Sequence, residues 1–168
     1  MVVRINIHAI KFNKANELKG TVEANVGELD LAYEEVQWQE PVIISYQVTN
    51  AGDLYLFEAR VQFSYSIACS RCLAPIEEKK ELTVQEQFGR RTDQSNPSED
   101  IQAVTGDEID VTDSIRDQIL LTMPAKPLCK QDCAGLCPQC GGDRNRVACD
   151  CREDNIDPRL AALGKLLK

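Results

Sequence analysis

Cysteine spacing constrains this chain more than any other feature. Six of its eight cysteines fall between Cys129 and Cys151, in the pattern C-x3-C-x3-C-x2-C-x8-C-x-C. The other two, Cys69 and Cys72, form a lone C-x2-C earlier in the chain. A tetrahedral zinc site needs such pairs: two thiolates from one tight turn fill two vertices, and a second pair closes the site. Cys137-Pro138-Gln139-Cys140-Gly141 has the form of a zinc knuckle, where the glycine lets backbone amides turn toward the sulfurs. The best single ligand set is Cys137, Cys140, Cys149 and Cys151. Cys129 and Cys133 then either join Cys69 and Cys72 in a second site or stay unligated. Four thiolates leave no open position for water or substrate, so zinc, in one or two sites, is expected to be structural.

Two other cysteine chemistries are weaker. A disulfide framework needs an oxidising compartment, and the start Met1-Val2-Val3-Arg4-Ile5-Asn6-Ile7 lacks the basic-then-apolar layout of a secretory leader. A thioredoxin-like site at Cys69-Ser70-Arg71-Cys72 would need a βαβ context that its surroundings lack. No apolar run approaches the roughly 18 residues of a membrane span, so a soluble, cytoplasmic protein with no membrane contact is expected.

At 168 residues the chain is one domain, or one domain with a small appended module. Its formal net charge of −8 argues against a broad nucleic-acid-binding face. The charge is uneven. Residues 1–124 carry 11 basic against 21 acidic side chains, a balance of −10, while residues 125–168 carry 8 against 6, or +2. Four zinc-bound thiolates would cancel that excess, so any contact with RNA would be local, through Arg144 and Arg146.

Hydrophobic periodicity gives the body. Val3, Ile5, Ile7 and Ala9 alternate with polar residues as in a half-buried strand, and Gly20 to Val26 alternates again. Residues 28–40 have no clean period and are left open. Val42, Ile44, Tyr46 and Val48 share a face before the turn residues Asn50-Ala51-Gly52-Asp53. Tyr55, Phe57, Ala59, Val61, Phe63, Tyr65 and Ile67 form the clearest run, with Cys69 arriving in phase. The chain then returns through Ile76, Leu82, Val84 and Phe88, which puts Cys69 and Cys72 at the tip of a long hairpin. The expected fold is α+β: a twisted antiparallel sheet of about five or six strands, one or two helices and a C-terminal zinc module. A body spans residues 1–124, with a mobile loop at about 89–107 and a helix at about 112–123 stopped by Pro124. Residues 125–168 form the cysteine module and a last helix opened by Asp157-Pro158.

Catalytic signatures are missing. His8, the only histidine, falls on the polar side of a strand, so neither a His-rich zinc site nor a Ser-His-Asp triad can be built. No P-loop, dinucleotide fingerprint or H-E-x-x-H occurs. An enzyme is therefore disfavoured, and no small-molecule substrate is expected.

One ordered set of segments resembles a known family. It runs from Cys69-Ser70-Arg71-Cys72-Leu73 and Pro75, through Glu108-Ile109-Asp110-Val111, to Leu121-Thr122-Met123-Pro124 and Lys126-Pro127-Leu128-Cys129. Cys133-Ala134-Gly135-Leu136-Cys137-Pro138-Gln139-Cys140-Gly141, Cys149-Asp150-Cys151 and Asp157-Pro158-Arg159-Leu160 complete it. Over roughly residues 42–168 this order and spacing resemble the YceD family, the large ribosomal RNA subunit accumulation proteins of bacteria and plastids. The resemblance implies a role in 23S ribosomal RNA accumulation and large-subunit maturation. The expected protein is a ribosome-assembly factor whose partner is the large-subunit precursor, through its RNA or a ribosomal protein. A thiol-based redox or metal-transfer protein is the alternative, and a labile metal with low-pKa thiols would favour it.

Overall fold

The computed structural model describes residues 2–12, 16–31, 33, 35–89 and 101–151. Strand β1 (Arg4–Asn6) is followed by a 3-10 turn at His8–Ile10, and then by β2 (Glu17–Ala24). Three strands of 15 residues come next, β3 (Val36–Asn50), β4 (Leu54–Ala68) and β5 (Pro75–Gly89). Two short strands, β6 (Ile101–Ala103) and β7 (Glu108–Asp110), lead into helix α1 (Thr112–Thr122).

The main sheet has the order β2-β3-β4-β5-β6, and β1 pairs with β7 in a separate two-stranded ladder. Neighbours from β2 to β5 are antiparallel, whereas β6 lies parallel to β5. The expected antiparallel sheet is present from β2 to β5, and the parallel edge strand β6 makes the whole mixed. Alternation explains the centre. Phe57, Val61, Phe63 and Tyr65 of β4 are buried with Ile44 and Val48 of β3 and Val84 and Phe88 of β5. Each such side chain contributes on the order of 1.5–3 kcal/mol when removed from water. Helix α1 adds Ile115 and Ile119, four residues apart and both fully buried, to the same core.

Two expectations change in detail, and one open stretch gains a structure. The first alternation ends at Ile7: the chain turns at His8–Ile10, leaving Ala9 exposed and Ile10 buried. The aperiodic stretch 28–40 resolves into a turn that buries Leu29 and Leu31, followed by the start of β3. The register of β3 shifts between Gln39 and Ile43, at a cis Glu40–Pro41 peptide, so proline sits in an irregularity where no ladder donor is needed. Within the expected loop at 89–107, Ile101–Ala103 is strand β6, and Thr105 and Glu108 bridge across a tight turn. Backbone pairing with β5 and a Gln102 Nε2 bond to Ser114 Oγ (2.7 Å) hold β6, with no apolar pattern to announce it. The last helix expected after Asp157 lies outside the described residues.

Candidate metal centres

The long β4–β5 hairpin ends in the turn Ser70–Leu73, and the chain after α1 comes back to that turn. Ser70 N–H donates to Pro127 O (2.8 Å), Leu136 N–H to Arg71 O (3.0 Å) and Arg71 Nη1 to Cys133 O (2.8 Å). Gly135 has a φ of 74°, and a Cβ there would lie 3.1 Å from Arg71 O, so glycine serves this close approach. A small apolar cluster of Cys69, Cys72 and Cys133 with Ala74, Ile76, Leu128 and Leu136 seals the junction.

All eight cysteines are unpaired and fall into two groups of four, Cys69/Cys72/Cys129/Cys133 and Cys137/Cys140/Cys149/Cys151. Within each group the sulfurs lie within 4.8 Å of one another, so each can hold a metal ion. In the first, Cys72 Sγ and Cys129 Sγ are 3.6 Å apart and Cys69 Sγ and Cys133 Sγ 3.9 Å apart. A tetrahedron with metal–sulfur bonds of about 2.3 Å has edges of about 3.8 Å. A disulfide would need about 2.05 Å. The spacing therefore suits one ion among four thiolates.

Both groups are built on the same turn. In the first, Leu73 N–H donates to Cys69 O (2.9 Å) and Cys69 N–H to Ala74 O (2.8 Å). In the second, Gly141 N–H donates to Cys137 O (2.8 Å) and Cys137 N–H to Gly142 O (2.8 Å). Amides then converge on the first sulfur of each turn. Backbone N–H groups of Cys129, Arg71 and Cys72 hold the Cys69 thiol down to about 6. Those of Cys140 and Gln139 hold Cys137 at about 6. Contact with the Cys72 thiol, then desolvation, pushes Cys129 up to about 12. Contact with the Cys140 and Cys137 thiols does the same to Cys151. In the first group Cys69 and Cys133 are held low while Cys72 and Cys129 are pushed up, and in the second Cys137 is held low while Cys149 and Cys151 are pushed up, a crowding of thiols that a divalent cation relieves. These donor sets fit a soft or borderline cation such as zinc.

Arg144 and Arg146 lie in the loop between Cys140 and Cys149. Arg144 N–H donates to Gly135 O (2.9 Å), and Arg146 Nε lies 3.5 Å from Asp143 Oδ2 with its own side chain 80% exposed. His8 is tied elsewhere, with Nδ1 2.9 Å from Asp107 Oδ2. Asn145 was not a sequence candidate. Its Nδ2 donates to Cys133 Sγ (3.3 Å), and its Oδ1 accepts from Ala134 N–H (2.9 Å). The only hint in the sequence is Asp143-Arg144-Asn145, an Asx-turn pattern in which Asn145 N–H donates to Asp143 Oδ1 (2.9 Å).

Comparison with known proteins gives these cysteines a context. The chain is 34% identical over 102 residues to an uncharacterised Mycobacterium tuberculosis protein, Rv2926c, covering 59% of this chain and 49% of that one. It is 29% identical over 153 residues to Bacillus subtilis YlbN, covering 90% and 88% of the two chains. Over 59 residues it is 36% identical to an Arabidopsis thaliana protein, the chloroplastic large ribosomal RNA subunit accumulation protein YCED homolog 1, covering 35% of this chain and 18% of that one. The chain spans about half the length of the mycobacterial relative. No solved structure matches it. The family model described as large ribosomal RNA subunit accumulation protein YceD matches residues 57–167, from near the start of β4 through both cysteine groups. The chain belongs to the YceD family.

Proposed function

We propose that the protein is a non-catalytic assembly factor for the large ribosomal subunit, with two structural zinc ions fastening its C-terminal module to the tip of the β4–β5 hairpin. The observation that carries this reading is the first cysteine group. It joins Cys69 and Cys72 of the hairpin to Cys129 and Cys133, about 60 positions later in the chain. A closed four-thiolate site offers no coordination position to a substrate, which supports a structural ion over a reactive one. The name of the family and that of the Arabidopsis relative support the pathway. No helix among the described residues is long and apolar enough to cross a membrane.

The charge distribution supports the mode of action. Residues 1–124 carry −10 and suit a basic ribosomal protein, while the loop with Arg144 and Arg146 suits a phosphate. The partner in this reading is the large-subunit precursor, held through its RNA or through a ribosomal protein. Co-sedimentation of the tagged chain with ribosomal precursors tests the pathway, and crosslinking then names the contacted molecule. Enrichment on large-subunit precursors is expected. An even spread over mature subunits and free fractions contradicts the reading.

A further inference from the structure

The two cysteine groups share one short segment. Cys133 belongs to the first and Cys137 to the second. The loop between Cys140 and Cys149 folds back over that segment. Asp143 and Leu136 form a β-bridge, Arg144 N–H donates to Gly135 O (2.9 Å), and Asn145 Oδ1 accepts from Ala134 N–H (2.9 Å). Asn145 then extends across to the first group, with Nδ2 3.3 Å from Cys133 Sγ. The same Nδ2 donates its other hydrogen to Asp143 Oδ1 at 2.7 Å, so the amide is oriented from its own loop. A buried sulfur of one group is therefore held by a side chain whose position depends on the fold of the other.

We propose that Asn145 is a positioning residue for Cys133 and couples the two metal sites, so that each holds its ion more tightly when the other is filled. The inference rests on the reading that both groups bind zinc. Its physical basis is direct. Metal in the second group fixes Cys140 and Cys149 at the two ends of the loop, which lowers the entropy cost of placing Asn145. The placed amide stabilises the Cys133 thiolate and orients its lone pairs toward the ion, and partners of this kind change metal affinity by about 10–100-fold. Linkage makes the effect mutual: the factor gained by the first site from the second equals that gained in return.

The test uses the full chain with zinc and, as a spectroscopic stand-in, cobalt(II). One variant lacks the second site (Cys140→Ser with Cys149→Ser) and another the first (Cys72→Ser with Cys129→Ser). Each is made with Asn145 intact and as Asn145→Ala, and affinity is read by chelator competition at one pH. Removing the second site should weaken the first by about 10–100-fold, and Asn145→Ala alone should weaken it to a similar extent. Combined, the two changes should be no worse than either alone. In the chain holding only the first site, Asn145 needs the missing partner, so Asn145→Ala should change little there. In the two-site chain, Asn145→Ala should move the sulfur-to-cobalt band of the first site to lower energy, because Cys133 loses a donor. Unchanged far-ultraviolet circular dichroism and two bound ions confirm that the variant folds. Two ions with unchanged first-site affinity in Asn145→Ala, or strictly additive losses, overturn the coupling and leave the zinc reading standing. A wild-type chain that takes up no metal overturns both.

Discussion

Leu73 and Gly141 occupy the same position in two copies of one turn. Each is the fourth residue after the first cysteine of its knuckle, each donates its N–H back to that cysteine's carbonyl, and their φ angles are 60° and 70°. Glycine takes this left-handed conformation at no steric cost, whereas a side chain there costs about 1–2 kcal/mol. Leu73→Gly removes that strain but adds freedom to the unfolded chain, so its net effect should stay within about 0.5 kcal/mol of zero. Gly141→Leu brings the same two effects with opposite sign into a site with open space around its Cβ position, so it should weaken metal binding by no more than about two- to threefold. Chelator competition on both variants checks this.

Metal removal should loosen the module and spare the sheet. The segment 125–151 buries little apolar surface outside the Cys69/Cys72/Cys133 cluster, while β3, β4 and β5 carry the main core. Structural zinc supplies about 10–16 kcal/mol in comparable small sites, enough to offset the ordering of such a segment. Limited proteolysis after chelation should cut between Ala125 and Cys151 while Val42 to Phe88 stays protected. Cleavage throughout the sheet would contradict this division.

Asp107 should make the N-terminal turn sensitive to acid. Its carboxylate accepts from Lys11 Nζ and lies 2.9 Å from His8 Nδ1, and these partners, Lys11 first, hold its pKa below the usual value. A depressed carboxylate contributes stability that is present above its unfolded pKa, near 4, and is lost as pH falls through the lower folded value. Asp107→Asn should therefore destabilise the protein modestly at pH 7 and less so at pH 3, below the unfolded pKa. Denaturant melts of both proteins at the two pH values check the sign.

Reversing the charge of the knuckle loop tests its contact role. Arg144→Glu with Arg146→Glu should leave two zinc ions bound, because neither side chain is a ligand, yet reduce association with large-subunit precursors. If RNA is the contacted molecule, two lost phosphate contacts should lower the salt slope of binding by about 2. A double variant that fully restores 23S ribosomal RNA in a deletion strain would remove the loop from function.

The sequence made the centre of the sheet legible because β4 alternates along its length and β3 from Val42 to Val48, so Phe57, Val61 and Ile44 could be assigned to one face. It also placed α1, whose Ile115 and Ile119 stripe ends before Pro124. The parallel edge strand β6 was illegible, since three residues held by backbone pairing and one Gln102–Ser114 bond leave no period to read. Among the cysteines, the C-x2-C pairs declared themselves by spacing. The partnership of Cys69 and Cys72 with Cys129 and Cys133 was only one of two options, because it depends on the hairpin's length bringing its tip to residue 129. Asn145 carried only its Asx-turn pattern, for a side-chain amide within a spacer looks the same whether it faces water or a sulfur.

Metal stoichiometry tests the central claim most directly. Full-length protein purified under reducing conditions should contain two zinc ions per chain by elemental analysis, each with four sulfur neighbours at about 2.3 Å by X-ray absorption. Replacing Cys72 and Cys129, or Cys140 and Cys149, with Ser should remove one ion each. Absence of zinc, or intact mass showing disulfides in the reduced preparation, would contradict two closed thiolate sites.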